Sequence, residues 1–178
     1  MISRAAISMS VACGLKGYTF HHTGGEIDKK TWKWQTLGED LAKVNAMIAP
    51  LGPEVMKLGN PKAVYSTPIS ITAKNRPTGT DPAVPPEFKA IPEDSTTRIL
   101  AGEAVMGLYQ DPKGREALLF ANHNSYEGQT MNLKFEGKVL GVAIFDRTAG
   151  AWKRLPLDSG KVSFEIPPAG LELVIVNR

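Results

Sequence analysis

Gly14-Leu-Lys-Gly-Tyr-Thr-Phe-His-His-Thr-Gly-Gly25 lies between two helical patterns and ends in a cluster of polar and ring-bearing side chains. Residues 15–20 form a short β-prone run, His21, His22 and Thr23 place polar side chains at its end, and a glycine pair closes it. Both flanks read as helix. Upstream, Ile2, Ala5, Ala6, Met9 and Ala12 or Cys13 recur at three- and four-residue spacing, the period that gathers side chains on one helix face. Downstream, Leu37, Leu41, Val44, Ile48 and Leu51 do the same while Glu39, Asp40, Lys43 and Asn45 face away. Gly52-Pro53 ends that helix, because glycine suits a C-cap and proline cannot continue the ladder. Helix, strand and helix in this order make a parallel α/β unit, in which ligand chemistry gathers at the carboxyl end of the strand.

The first thirteen residues carry a second reading. Arg4 followed by a weakly apolar run to Ala12-Cys13 has the outline of a lipoprotein-type signal with Cys13 as the lipidated residue. Ser8 and Ser10 interrupt that run, and the helical period favours the helix. No stretch approaches the ~18 consecutive apolar residues of a membrane-spanning helix.

From Ala63 the period changes to two. Residues 63–66 and 69–73 are short strand candidates split by Pro68, and residues 77–92 are too rich in proline for central strands. Residues 105–110 and 116–121 flank Asp111-Pro-Lys-Gly114 and read as a hairpin. Met131, Leu133 and Phe135 alternate with Asn132, Lys134 and Glu136. Residues 139–146, 152–155, 162–166 and 171–176 complete a set of strands separated by turn-rich gaps, the pattern of an antiparallel sandwich. The expected division is residues 1–60, a helix–strand–helix segment, and residues 61–178, a β-sandwich, with the break at Gly59-Asn60-Pro61.

Lys and Arg total 21 against 18 Asp and Glu, a net charge of +3, and the basic residues are scattered singly among acids and apolar positions. That distribution is a solvated surface and not a nucleic-acid stripe. The single cysteine excludes an internal disulfide and a cysteine-built zinc site. No phosphate-binding glycine loop, Gly-x-Ser-x-Gly or zinc spacing occurs, so no cofactor and no metal is expected.

Gly14-Leu-Lys-Gly17-Tyr resembles the entry to the last barrel strand of β-galactosidase-like enzymes. Leu118-Leu-Phe-Ala-Asn122-His-Asn resembles their accessory-domain strand ending in asparagine, and Pro167-Pro-Ala-Gly-Leu-Glu-Leu173 the closing strand of such sandwiches. The chain thus resembles, over its whole length, the C-terminal end of a TIM-barrel glycoside hydrolase with its appended β-sandwich. The resemblance implies a short α/β segment equivalent to the last helix, strand and helix of a (β/α)8 barrel, then the sandwich. It also implies that the catalytic carboxylates, borne by the fourth and seventh strands, lie outside this sequence. On that reading the chain is a C-terminal portion that completes and braces a barrel and is inactive alone; its partners are carbohydrate and either the rest of the barrel or further copies of itself. The parent family is often secreted or periplasmic. A rival reading is a free-standing carbohydrate-binding or adhesion module of a surface lipoprotein.

No catalytic residue is assigned. The substrate-binding candidates are His21, His22 and Thr23 at the strand end, and Trp32 and Trp34, which face the same way if the local chain is extended. Against sugar contact stands a structural role: one histidine packed and one wet, and the tryptophans stapling the following helix to the sandwich. Adjacent histidines on a strand point to opposite faces and cannot easily share an ion. Glu26 and Asp28 are the carboxylates nearest the strand end and read as a solvated loop, and His123 reads as a turn residue.

Overall fold

The computed structural model describes residues 4–18, 26–69 and 83–178. Among these residues three helices come first: α1 (Arg4–Ala12), α2 (Thr36–Ile48) and α3 (Gly52–Lys57). Ten strands follow: β1 (Ala63–Ser66), β2 (Lys89–Ala90), β3 (Thr97–Ala101), β4 (Val105–Gln110), β5 (Glu116–Ala121), β6 (Gln129–Phe135), β7 (Gly141–Asp146), β8 (Ala151–Leu155), β9 (Lys161–Ile166) and β10 (Leu171–Asn177). They make a seven-stranded sheet in the order β2-β1-β4-β5-β10-β7-β8 and a three-stranded sheet in the order β3-β6-β9. Every pairing is antiparallel except β1 with the two-residue edge strand β2.

The strands form where the period of two and the turn residues demand. The β4–β5 hairpin closes at Asp111-Pro-Lys-Gly114: Gly114 N donates to Asp111 O at 2.9 Å, and Gly114 takes a φ of +78° that glycine alone adopts cheaply. Asp111 is buried beneath this turn; burial pushes its carboxyl up, but donation from the Arg115 guanidinium, with Nε at 2.7 Å from Oδ2, holds it below the ordinary value. β3 has no counterpart in the sequence reading. It is an edge strand with a register shift between Ile99 and Ala101, and Thr97 is its one buried residue.

Side-chain alternation gives the large sheet two apolar faces. Met106, Leu118, Phe120, Val142, Val174 and Val176 meet Met131, Leu133 and Phe135 of β6 and Val162, Phe164 and Ile166 of β9 in the sheet–sheet core. Phe120 and Phe164 pack tilted, with ring centroids 5.5 Å apart. On the opposite face Val105, Tyr109, Leu119, Leu171, Leu173 and Ile175 meet Val11 and Ala12 of α1 and Leu51, Val55 and Leu58 around α3. β10 is therefore buried on both sides, which is why Leu-Glu-Leu-Val-Ile-Val reads as a nearly unbroken apolar run.

Both expected helices are present, with their faces turned. α1 buries Ala5, Ile7, Ser8, Val11 and Ala12, while Ala6 and Met9 are half-buried and Cys13 is exposed. Ser8 lies inside because its Oγ donates to Ala169 O at 2.6 Å, which satisfies the hydroxyl. α1 lies flush on β4 only because Gly107 is there: a Cβ would stand 2.1 Å from Ala12 O. The neighbouring Tyr109 hydroxyl donates to that same oxygen at 2.8 Å, and burial raises its pKa to about 12. The α2 stripe is shorter than its period suggests. Leu41 and Val44 are buried against Ile7, with Leu37 and Ile48 at the margin, whereas Leu51 leaves the stripe and enters the sheet–helix core. Gly52-Pro53 does not end α2, which stops at Ile48 just before Pro50; it opens α3 instead, proline occupying the first turn of the new helix.

Of the strand expected over 15–20, residues 15–18 are irregular and residues 19–20 lie outside the described residues. Lys16 Nζ instead donates to Val55 O at 2.7 Å and Leu58 O at 3.0 Å, tying this segment to α3. The strand candidate at 69–73 likewise falls mostly outside them, Ile69 making a single antiparallel bridge to Ala83. No helix among the described residues is long and apolar enough to cross a membrane.

Candidate functional site

Residues 26–35, immediately before α2, return on themselves as a small hairpin. Ile27 bridges Trp34, Asp28 N donates to Lys33 O at 2.9 Å, and Gln35 N donates to Glu26 O at 2.7 Å. Asp28 organises the tip: its Oδ1 accepts from Lys30 N at 2.8 Å and Thr31 N at 2.9 Å. Those two backbone donors, Thr31's foremost, hold its carboxyl below the ordinary value. Asp28 is thus a turn-former, and Glu26, its expected loop companion, is buried.

Trp32 and Trp34 do not lie on one extended segment. Trp32 stands at φ +55°, where the chain turns back from the Asp28 turn, so the alternation that would align the two indoles does not apply. Trp34 presses on α2: a Cβ on Gly38 would stand 2.4 Å from its ring carbon Cε3, so the glycine is the seat for the indole. It remains 63% exposed, and Trp32, at the hairpin tip, is 80% exposed. Lys29, Lys30 and Lys33 share this exposed tip. His21, His22 and Thr23 lie outside the described residues.

A second constellation forms where the sandwich strands end, and spacing in the sequence does not announce it. Glu103, His123, Asn124, Glu127, Gln129 and Thr130 line a cleft of about 410 Å³ between the β3–β4 and β5–β6 connections. His123 Nε2 is 3.4 Å from Glu103 Oε2. Asn122, completely buried at the end of β5, fixes the loop: its Nδ2 donates to Glu127 O at 2.8 Å and Pro167 O at 3.1 Å. Its Oδ1 accepts from Asn124 N at 2.9 Å and Gln129 Nε2 at 3.1 Å. The phrase Asn122-His-Asn-Ser-Tyr-Glu127 is the visible signal, since two asparagines around an exposed tyrosine mark a built turn; only the fold brings Glu103 beside it.

A further acid is held apart. Glu172 on β10 is buried and paired with Arg147; burial raises its carboxyl to about 7, the Arg147 charge opposing and Asp146 adding.

No protein-family model matches the chain, and no curated protein matches it. Among solved structures, a candidate alpha-galactosidase/melibiase from Bacteroides fragilis NCTC 9343 is similar at 18% identity and a TM-score of 0.32, over 42% of this chain and 16% of its own. The catalytic domain of GH30 xylanase C from Talaromyces cellulolyticus is similar at 15% identity and a TM-score of 0.29, over 49% of this chain and 19% of its own. The matched part is less than a fifth of either protein.

Proposed function

We propose that the chain is the non-catalytic C-terminal portion of a glycoside hydrolase, residues 1–60 ending its barrel and residues 61–178 bracing it as an accessory sandwich. The observation that carries this reading is the common core of α1, α3 and the large sheet, in which Val11, Leu51, Val55 and Leu58 pack against Tyr109, Leu119 and Leu173. A segment seated this way is fixed to the sandwich and can hold the two parts of a larger enzyme in one orientation.

Glycoside cleavage needs a protonated acid and a second carboxylate on either side of one bond, ~5–5.5 Å or ~6.5–9.5 Å apart according to mechanism. Among the described carboxyls, Glu172 is the one raised to about 7, and it is buried against Arg147, where no sugar can reach it. The rival reading, a lipoprotein processed at Cys13, would remove Ile7, Val11 and Ala12 from beneath Tyr109 and α2, so the packing of α1 favours the brace.

Sugar contact is assigned to the tryptophan hairpin. A large aromatic residue that is 80% exposed and in the left-handed region is held in a costly conformation for some reason other than packing. An indole face offers apolar contact to a pyranose ring. Two measurements test the proposal. Purified chain should turn over no aryl glycoside in a broad panel; turnover that is lost in Glu26→Gln or Asp28→Asn would overturn the non-catalytic reading. In affinity gels cast with soluble polysaccharides, retardation of the wild type should be lost in Trp32→Ala; equal retardation of both would remove the hairpin from the sugar contact.

A further inference from the structure

We infer that the hairpin over residues 26–35 is a docking element for an anionic lipid surface, its indoles entering the interfacial layer while Lys29, Lys30 and Lys33 meet the lipid phosphates. This role goes beyond the bracing of a barrel and does not depend on sugar contact at the hairpin. Its basis is what gathers at the tip. Every residue from 29 to 36 is exposed, Trp32 by 80% and Trp34 by 63%. Three lysines stand in the same stretch, and none of their ammonium groups enters an ion pair among the described residues. Asp28 is the one acid among residues 27–36, and its Oδ1 is engaged in the turn, accepting from the backbone N of Lys30 and of Thr31. Three cations thus flank two exposed indoles against a single carboxylate.

The tip is also ordered in advance. Ile27 bridges Trp34, Asp28 N donates to Lys33 O at 2.9 Å, and Trp32 N donates to Asp28 O at 2.7 Å, so the backbone that presents Trp32 is tied on both sides. An exposed tip cannot enclose a ligand, but it can enter a soft interface. Tryptophan favours that depth of a bilayer, where its apolar ring and its N–H are both accommodated. The phosphates of anionic lipids lie at the same level and attract lysines held close to the surface. A limited apolar insertion or a few cations alone gives weak attachment, and the two together are the combination that holds a protein to a membrane. A single-stranded nucleic acid fits less well, because it calls for a basic groove that follows the backbone over several nucleotides. Here the three lysines occupy a single turn.

The test is co-sedimentation of the full chain with two vesicle preparations, phosphatidylcholine alone and an equimolar mixture of phosphatidylcholine and phosphatidylglycerol. Binding to the mixed vesicles is expected, at least about tenfold tighter than to the neutral ones, weakened by added salt and accompanied by a blue shift of tryptophan emission. Lys29→Gln, Lys30→Gln and Lys33→Gln should each weaken it about fivefold, and the triple variant on the order of a hundredfold. The corresponding triple change to Arg should retain it, since the charge is kept. Trp32→Ala should weaken binding about tenfold. These residues are exposed, so an unchanged unfolding midpoint is the folding control for every variant. Lys138→Gln, Lys153→Gln and Lys161→Gln together remove the same charge from exposed sandwich positions and should change binding by less than about twofold. A loss equal to that of the hairpin variant would assign binding to net charge and overturn the inference. Absence of binding to the mixed vesicles, equal binding to both preparations, or capture on heparin beads with none on vesicles would overturn it as well. Sugar contact shares Trp32 but not the lysines, so loss of vesicle binding in the hairpin lysine variant supports docking whether or not polysaccharide gels retard the chain.

Discussion

The two faces of the seven-stranded sheet are equally apolar but differ in where their cover comes from. The face carrying Phe120 and Val174 is closed by β6 and β9, so that core is built wholly from residues 65–176. The face carrying Leu119 and Leu173 is closed mainly by residues 11–58, contributed from a separate stretch of chain. A sandwich can thus be complete as a pair of sheets and still depend on a preceding segment for half of its central sheet's burial. Residues 61–178 contain the cover of the first face but not most of the cover of the second.

The strongest way to break this contrast is to delete residues 1–60. Each aliphatic side chain removed from a core forfeits ~1.5–3 kcal/mol, and losing Val11, Leu51, Val55 and Leu58 together approaches the ~5–15 kcal/mol of a whole domain. We expect residues 61–178 to retain a cooperative urea transition, since the sheet–sheet core is intact, but at a much lower midpoint and with binding of a hydrophobic dye. A transition as stable as that of the full chain would show that the helices are not structural cover.

Next come single side chains on opposite faces. Phe120→Ala should cost ~3–5 kcal/mol and Leu119→Ala ~2–5 kcal/mol in the full chain. In the shortened chain the Leu119→Ala cost should shrink, because the site is already open, while the Phe120→Ala cost persists. Gly107→Ala should cost ~1–3 kcal/mol by lifting the end of α1 from β4, and should cost less once α1 is absent.

A pH scan sharpens the same comparison from the sheet–sheet side, where Glu172 lies in line with Val174 and Val176 along β10. Its carboxyl is raised from 4.5 to about 7, so between those values the folded chain keeps a proton that the unfolded chain has released. The stabilising component is complete below about pH 4.5 and is lost as pH rises through about 7. Urea midpoints of the wild type should therefore fall across that window relative to Glu172→Gln; parallel profiles would mean that the Arg147 pair keeps the carboxylate ionised throughout. The smallest effect is expected at the hairpin. Trp32→Ala should change stability by no more than ~0.5 kcal/mol, whereas Trp34→Ala should cost more, because its ring is seated on Gly38.

Much of the fold was legible because its signals are local. The alternation in Met131, Leu133 and Phe135, the Asp111-Pro-Lys-Gly114 turn and the unbroken run of β10 each announce their element without reference to anything distant. β3 escaped because an edge strand with one buried residue carries little alternation. The face of α1 was read a step away from the true one because Ser8 counted as polar, and only the carbonyl of Ala169, 161 residues on, makes its burial tolerable. The tryptophans were found as candidates by residue type, but their relation to each other depended on a left-handed backbone at Trp32 that residue type does not foretell.

Most of the elements, their order and the change from helical to strand period at Ala63 are written in the chain locally, since they follow from side-chain size, polarity and turn chemistry within a few residues. Tertiary structure alone decided that α1 lies on β4 through Gly107, that Arg147 meets Glu172, and that Glu103 and Glu127 share a cleft with His123. Each is a contact between residues far apart in the chain. Such contacts are fixed by how layers stack and where strands end, and no local period encodes them.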